Sequence, residues 1–406
     1  MSRPANLPTA LQSWANANYA GGPAWGGTAQ RSTPAGTALV PGVSFPAEVA
    51  NYLLGNAFDA AQNAINLAGE IPPLNWQPFT SLGASSNAMG WSDAEQSWYV
   101  GVNGSATGQQ SMDYGKYWTN VTYSGAFAAF FDIAFDPSGN GVVASGVNTV
   151  SDGPFVAYGT AITWASRTLS GAVTPTTMAQ VAYEPVSALW CYLGGKTAVG
   201  SNVFTSPDRA VWTTRTIPAT WSTNAVNNYV RLGAGNGILV AAFRDSSTTF
   251  RTMRSANGGI TWTNDQAITV NAGITLPDAN GTITRPFWSA TDLLWYVACN
   301  QTATRKSQVF SSPDGITWTS AAYLGSNDAA FVEVVGLGSL LVATNYNDGR
   351  IYASWNKGVN WWKCGGINLG AAATVTVMKS GGNGIGAIIG ARWGASIRIG
   401  VPVTAA

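Results

Sequence analysis

Ser312-Pro313-Asp314-Gly315-Ile316-Thr317-Trp318-Thr319 is the phrase on which the sequence is built. A form one residue longer, Ser-x-Asp/Asn-x-Gly-x-x-Trp, recurs without gaps. It carries Ser111, Asp113, Gly115 and Trp118; Ser255, Asn257, Gly259 and Trp262; and Ser354, Asn356, Gly358 and Trp361. The copy with Ser206, Asp208 and Trp212 has the shorter length, and the copy ending at Trp164 keeps only Thr163-Trp164. From Trp118 to Trp361 the six tryptophans are spaced 46, 48, 50, 56 and 43 residues apart. A period of this size marks an internal structural repeat.

The phrase reads as a tight turn. A short Asp or Asn accepts hydrogen bonds from nearby backbone amides, Gly supplies a positive φ, and the Trp opens the next strand with its ring over the turn. It resembles the Asp box, the turn of sialidase-type and related β-propellers. Around it, two apolar runs separated by a polar turn precede each copy, as in Ile133–Phe135 with Val142–Ala144, Val181–Tyr183 with Ala188–Leu193, Phe287-Trp288 with Leu294–Cys299, and Val332–Val335 with Leu340–Ala343. A third strand leads into the turn (Val203–Thr205, Val309–Ser311, Arg350–Ala353) and a fourth follows the Trp. Four strands in about 45 residues is a propeller blade.

Six units end at the six tryptophans, and a seventh, with strands near Thr374–Met378, Gly386–Ile389 and Ser396–Ile399, lacks a fourth strand. An open edge invites unwanted pairing. Asn75-Trp76-Gln77-Pro78-Phe79, 42 residues ahead of Trp118, is the natural donor. The expectation is an all-β, seven-bladed propeller over 73–406, of four-stranded antiparallel blades, closed by a strand at residues 75–80.

The 406 residues are 46% hydrophobic but only 10% charged, with a formal net charge of +1. No basic field points to nucleic acid or an anionic membrane. No apolar run reaches membrane-spanning length and the N-terminus lacks an apolar signal core, so neither insertion nor Sec export is expected. The three cysteines, Cys191, Cys299 and Cys364, read as small buried hydrophobes. Cys191 and Cys299 fall two blades apart, too far to bridge.

The chain contains no histidine, which removes Ser-His-Asp and Cys-His catalysis and His-based zinc sites. Carboxylate, tyrosine or arginine chemistry remains. Asp93, Asp136, Glu184 and Asp292 fall in turns between the first two strands of their units, where local hydrogen bonding explains them. Glu333 lies inside an inner strand and faces the channel, and Asp132 sits just before one. No pair has a spacing that places two carboxylates about 5–9 Å apart, as glycoside hydrolysis requires.

Sialidases carry an arginine triad, whose first member lies in a Phe/Tyr-Arg-Ile-Pro motif, and a Tyr-Glu nucleophile. The nearest string here, Thr284-Arg285-Pro286-Phe287, has a different order and falls in the fifth unit. The resemblance therefore covers the turns and not the active site, and implies no catalytic residue, cofactor or metal.

Residues 1–72 follow a different pattern. Gly, Ala and Pro dominate there, followed by helical spacing near 46–68 with Val49, Tyr52, Leu53, Phe58, Ala61, Ile65 and Leu67. Pro46, Ala47, Asn51, Leu53, Leu54 and Asn56 resemble a short N-terminal module of tailed-phage virion proteins. That resemblance implies a non-enzymatic structural component of the virion, a tail fibre, tail-tip protein or other appendage, made in the host cytoplasm. Residues 1–72 would bind other virion proteins, the assembly would be a homo-oligomer, and the propeller would act as scaffold or host-attachment head. The alternative is a propeller that binds or cleaves host surface glycan, for which the long loops Asn148–Pro154, Ala219–Asn227, Asp265–Thr284 and Thr302–Lys306 form the face to watch.

Overall fold

The computed structural model describes residues 19–20, 38–39, 74–78, 88–102, 105–112, 117–139, 141–148, 154–160, 163–169, 179–194, 203–216, 230–244, 250–263, 266–268, 282–301, 306–324, 331–338, 340–345, 351–364, 375–381, 388–393 and 396–402. The chain divides into two units, Met1–Ile71 and Pro72–Ala406. In the first, Tyr19–Ala20 pairs antiparallel with Ala38–Leu39. The helix expected near 46–68 lies outside the described residues. No helix occurs among the described residues, and none is long and apolar enough to cross a membrane.

The second unit is a β-propeller. Among the described residues, five antiparallel sheets stand as separate blades, each running from an inner strand outward. Their inner strands are Gln180–Glu184, Arg231–Gly235, the interrupted Thr282–Ile283 and Phe287–Ser289, Phe331–Leu337, and Val375–Gly381. Four of these blades have four strands, and the interruption gives the other five.

The expectation of seven separate four-stranded blades does not hold. The residues assigned to the first two units form a single seven-stranded sheet, Met89–Ser92 through Thr163–Thr168. Its middle strand, Thr119–Phe135, runs unbroken, pairing with Ser105–Ser111 near its start and with Val142–Asn148 along its second half. Ser124-Gly125 would signal a loop between units. Instead it falls where the register shifts between Thr107↔Thr122 and Ser105↔Phe127, so the chain bulges without leaving the sheet.

The inner strands approach one another in a closed cycle: Met89–Ser92, Thr119–Phe135, Gln180–Glu184, Arg231–Gly235, Phe287–Ser289, Phe331–Leu337, Val375–Gly381 and back to Met89–Ser92. Closure is made by Leu74–Pro78, which pairs antiparallel with Ser396–Pro402 and supplies the outer strand of the C-terminal blade. The expected clasp thus forms, shifted slightly from residues 75–80.

The core lies between blades. Ala182, Cys191, Leu193 and Val203 of one blade pack in one cluster with Val230, Leu232, Leu239, Phe243 and Met253 of the next. A single blade therefore lacks one side of its own core, as expected of a stacked repeat. Cys191 and Cys299 are free and buried in these layers. Burial pushes the Cys191 thiol up to about 12 and holds the Cys299 thiol well above its usual range, so both are inert at neutral pH. The Cys364 side chain lies outside the described residues.

Inner strands come very close where a residue lacks a side chain. A Cβ on Gly233 would lie 2.0 Å from the Pro286 carbonyl oxygen of the neighbouring blade, a backbone atom that cannot step aside.

Candidate functional site

The repeated turns are built from local hydrogen bonds. Ser312 Oγ accepts from the amides of Asp314 (3.3 Å) and Gly315 (2.8 Å), while Asp314 Oδ1 accepts from those of Ile316 and Thr317, both at 2.8 Å. These bonds hold the Asp314 carboxyl below its usual range against the effect of its partial burial, which pushes upward. Asn257 Oδ1 accepts from Thr261 N and Asn356 Oδ1 from Asn360 N, each at 2.9 Å, with Gly259 N and Gly358 N donating to Ser255 and Ser354 Oγ. In the copy without glycine, Asp208 Oδ1 accepts from Ala210 N and Val211 N, Ser206 donates to Asp208, and Arg209 takes the positive φ of 69°.

The tryptophans lie just ahead of the fourth strand in four copies, since those strands begin at Thr119, Thr213, Thr319 and Trp362. Trp212, Trp262 and Trp361 donate Nε1–H to the carbonyls of Arg209, Gly259 and Gly358, folding each ring over its own turn. Trp318 reaches further, to Thr252 Oγ1 at 2.9 Å. Ser111 and Trp118 are placed in the first copy, whereas Asp113 and Gly115 lie outside the described residues. Trp164 lies within the strand Thr163–Thr168, and its side chain is not among those described.

These turns dock one blade on the next. Gly259 has φ +93°, and a Cβ there would meet Cys191 Sγ at 2.7 Å. Gly259→Ala is expected to cost about 1–3 kcal/mol from backbone strain and contact together. Urea denaturation measures it, and an unchanged midpoint would contradict the docking role.

The four turn carboxylates are occupied as expected. Asp93 accepts from Trp91 Nε1, Asp136 from Ser138, Glu184 from the amides of Val186 and Ser187, and Asp292 from Ser289 and Tyr296. The channel carboxylates behave differently. Asp132 lies within its strand rather than ahead of it and is fully buried. Arg285 grips it with two nitrogens, Nη1 to Oδ2 and Nη2 to Oδ1, both at 2.9 Å. Lys379 Nζ stands 3.1 Å from Oδ1, and Val181 N donates to Oδ2 at 3.2 Å. Glu333 accepts from the Arg285 amide at 3.4 Å, with Arg285 Nε 3.9 Å from its Oε1. Because Asp132 and Arg285 sit three places apart in the cycle of inner strands, their pair spans the channel.

Pro286 explains how Arg285 gets there. A proline cannot donate to the ladder. The strand breaks over Thr284–Pro286, Thr284 Oγ1 accepts the Ala298 amide in place of a backbone partner, and Arg285 is carried into the channel.

Burial pushes the Asp132 carboxyl up, but Arg285, Lys379 and the Val181 amide outweigh it and hold the group below its usual range. Burial disfavours the charged Arg285 guanidinium, and the two carboxylates more than offset this. For Lys379, burial and the adjacent Arg285 lower the ammonium pKa despite Asp132 and Glu333.

Beside this plug lies a cavity of about 310 Å³ whose lining includes Arg285 and Lys379 and reaches the turn residues Asp93 and Pro137. Trp91, Phe135, Tyr183 and Trp288 line it, all at the same register position of their inner strands. The cavity thus reaches the face that carries the short hairpin turns. The loops expected to form a binding face lie largely outside the described residues.

Asp132 and Glu333 stand out in the sequence, whereas Arg285 and Lys379, their partners, do not. One signal was present. Asp132-Ile-Ala-Phe135, Gln180-Val-Ala-Tyr183, Arg231-Leu-Gly-Ala234, Arg285-Pro-Phe-Trp288 and Glu333-Val-Val-Gly336 align, and the first position is polar in all five. Gln180 uses its carbonyl oxygen as Asp132 does, accepting the amide of Leu232 on the next inner strand.

No protein-family model matches this chain, and no curated protein matches it. Among solved structures it is similar to YCF48 from Cyanidioschyzon merolae, at 12% identity and a TM-score of 0.57 over 80% of this chain and 98% of that one. It is also similar to a catalytically inactive virginiamycin B lyase from Staphylococcus aureus with quinupristin, at 11% identity and a TM-score of 0.57 over 81% of this chain and 99% of that one. The β-propeller domain of Myceliophteria thermophila Cps50 (Swd1) gives 12% identity and a TM-score of 0.55 over 82% and 100%. What these proteins share with the chain is the β-propeller fold, which by itself carries no activity.

Proposed function

We propose that the chain is a non-enzymatic structural component of a tailed-bacteriophage virion, with residues 1–72 attaching it to the particle and the propeller serving as scaffold or host-receptor-binding head. We read its repeated turns as Asp boxes of the kind found in sialidase-type propellers, without the chemistry of those enzymes. The observation that supports a non-catalytic propeller is the commitment of Asp132. A general acid needs a carboxyl whose pKa is raised toward the working pH. Asp132 is instead held ionised by Arg285 and Lys379, which makes it a bolt across the channel. The virion assignment rests on the stretch from Pro46 to Asn56.

Two measurements test the reading. A chain lacking residues 1–71 should fold as a propeller and fail to enter particles when it replaces the full chain; its incorporation would refute the attachment role. Purified full-length chain should release no sugar from host lipopolysaccharide or capsule. Release that disappears in Glu333→Gln would overturn the non-enzymatic half.

A further inference from the structure

The channel cavity has a construction that the structural role leaves unexplained. Its aromatic wall comes from four inner strands at one register position, and three of its rings are braced from behind by a tryptophan directly across the strand pair. Trp91 leans on Trp98, Tyr183 on Trp190 and Trp288 on Trp295, with ring centroids 5.2, 4.8 and 5.6 Å apart. Trp98 and Trp295 are fully buried, so the rings they support are held in place. Flat, rigid aromatic surface is what a binding site offers at low entropic cost. Tyr183 and Trp288 are only partly covered.

The polar side of the cavity is equally specific. Arg285 borders the cavity with 14% of its side chain exposed, while its Nε is buried 3.9 Å from Glu333 Oε1 and, among the described residues, makes no hydrogen bond. Lys379 has three donors and, among the described residues, one hydrogen bond, to Asp132. Among the described residues, the inner strands of the five separate blades pair on one side only, which leaves main-chain amides and carbonyls on their other edge for hydrogen bonding, apart from those such as Val181 N that a side chain already satisfies. The cavity therefore combines aromatic faces with cationic donors and backbone acceptors.

These features select among ligand classes. A cationic ligand would meet a guanidinium and an ammonium. A wholly apolar ligand would strip water from those donors and return nothing, which is costly. A sugar ring presents an apolar C–H face for Trp288 or Tyr183 and a rim of oxygens for Lys379, Arg285 and the strand edges. At about 310 Å³ the cavity is at the small end of ligand sites, which run from roughly 300 to 1,000 Å³. The Asp132–Arg285 pair spans the channel beside it, so a polymer cannot thread through.

We propose that this cavity is a carbohydrate-binding site for the terminal residue of a glycan, with the ring stacked on Trp288 and Tyr183 and its oxygens held by Lys379 and Arg285. The inference is independent of whether the chain is a virion component.

The test is isothermal titration of purified full-length chain with glucose, galactose, N-acetylglucosamine, rhamnose and glucuronic acid, with tetramethylammonium and inorganic phosphate as non-sugar probes. At least one sugar should bind saturably. Trp288→Ala should weaken it at least about tenfold, the size of one lost contact of about 1.4 kcal/mol, while Trp288→Phe, which keeps a flat face, should retain most of it. Unchanged circular dichroism in both variants separates loss of the site from loss of fold. Saturable binding by none of the five sugars, equal binding in Trp288→Ala, or binding of tetramethylammonium or phosphate alone would each overturn the proposal. Sugar binding by a chain that never enters particles would sink the virion reading and leave this one standing.

Discussion

Asp132→Ala is expected to destabilise the propeller by about 3–5 kcal/mol, because it leaves Arg285 and Lys379 in the channel with only the more distant Glu333 to compensate them. Both partners are largely buried, with Arg285 side-chain exposure 14% and that of Lys379 17%, against 0% for Asp132. The Val181 amide loses its acceptor as well. Asp132→Asn keeps the size and one acceptor oxygen and should cost less while still removing the charge. Denaturant unfolding at pH 7 reads the difference, and an alanine variant as stable as the parent would show that the ion pairs contribute nothing.

The same group sets a pH dependence whose sign is determined. Asp132 titrates in the folded chain below its unfolded value of about 3.9. The unfolded state therefore takes up the proton first, and the stabilisation is complete above about pH 4. It is lost as pH falls through the lower, folded value. The gap in stability between the parent and Asp132→Asn should be constant from pH 5 to 7 and shrink below about pH 4. A gap that stays constant down to pH 2 would mean that the charge of Asp132 is not what holds the channel.

The legible and illegible parts of this sequence differ in range. Turn chemistry is local: Ser312, Asp314 and Gly315 bond within their own phrase, so the five copies with this Ser and Asp or Asn reveal the repeat without knowledge of the fold. The clasp was legible because Trp76 keeps the same beat as the later tryptophans. The merged sheet was hidden, because Ser124-Gly125 reads as a loop wherever the neighbouring strands are unknown, and only pairing turns it into a bulge. The channel cluster was hidden for a stronger reason. Asp132 meets Arg285 across 153 residues and Lys379 across 247, and no local pattern pairs them. Glu333 stands out as a charge within an apolar strand, but nothing local marks Arg285, beside Pro286, as its partner.

The clasp carries the second large effect. Leu74–Pro78 pairs residue by residue with Ser396–Pro402, from Leu74↔Pro402 to Pro78↔Arg398. Deleting residues 1–79 removes this strand, whereas deleting 1–71 leaves it, so the two truncations differ only by the clasp and its flanks. At a net contribution of about 1 kcal/mol per hydrogen bond, loss of the ladder costs roughly 3–5 kcal/mol before any side-chain term. It also uncovers the edge of Ser396–Pro402, which invites pairing between chains. The shorter truncation should therefore stay monodisperse on size exclusion, and the longer should melt several degrees lower and aggregate. A peptide of residues 72–81 supplied in trans should add back as an edge strand and restore the melting temperature. That rescue separates a missing strand from general damage, because a damaged ring offers the peptide no formed edge. Equal melting of the two truncations would show that the ring closes without the clasp.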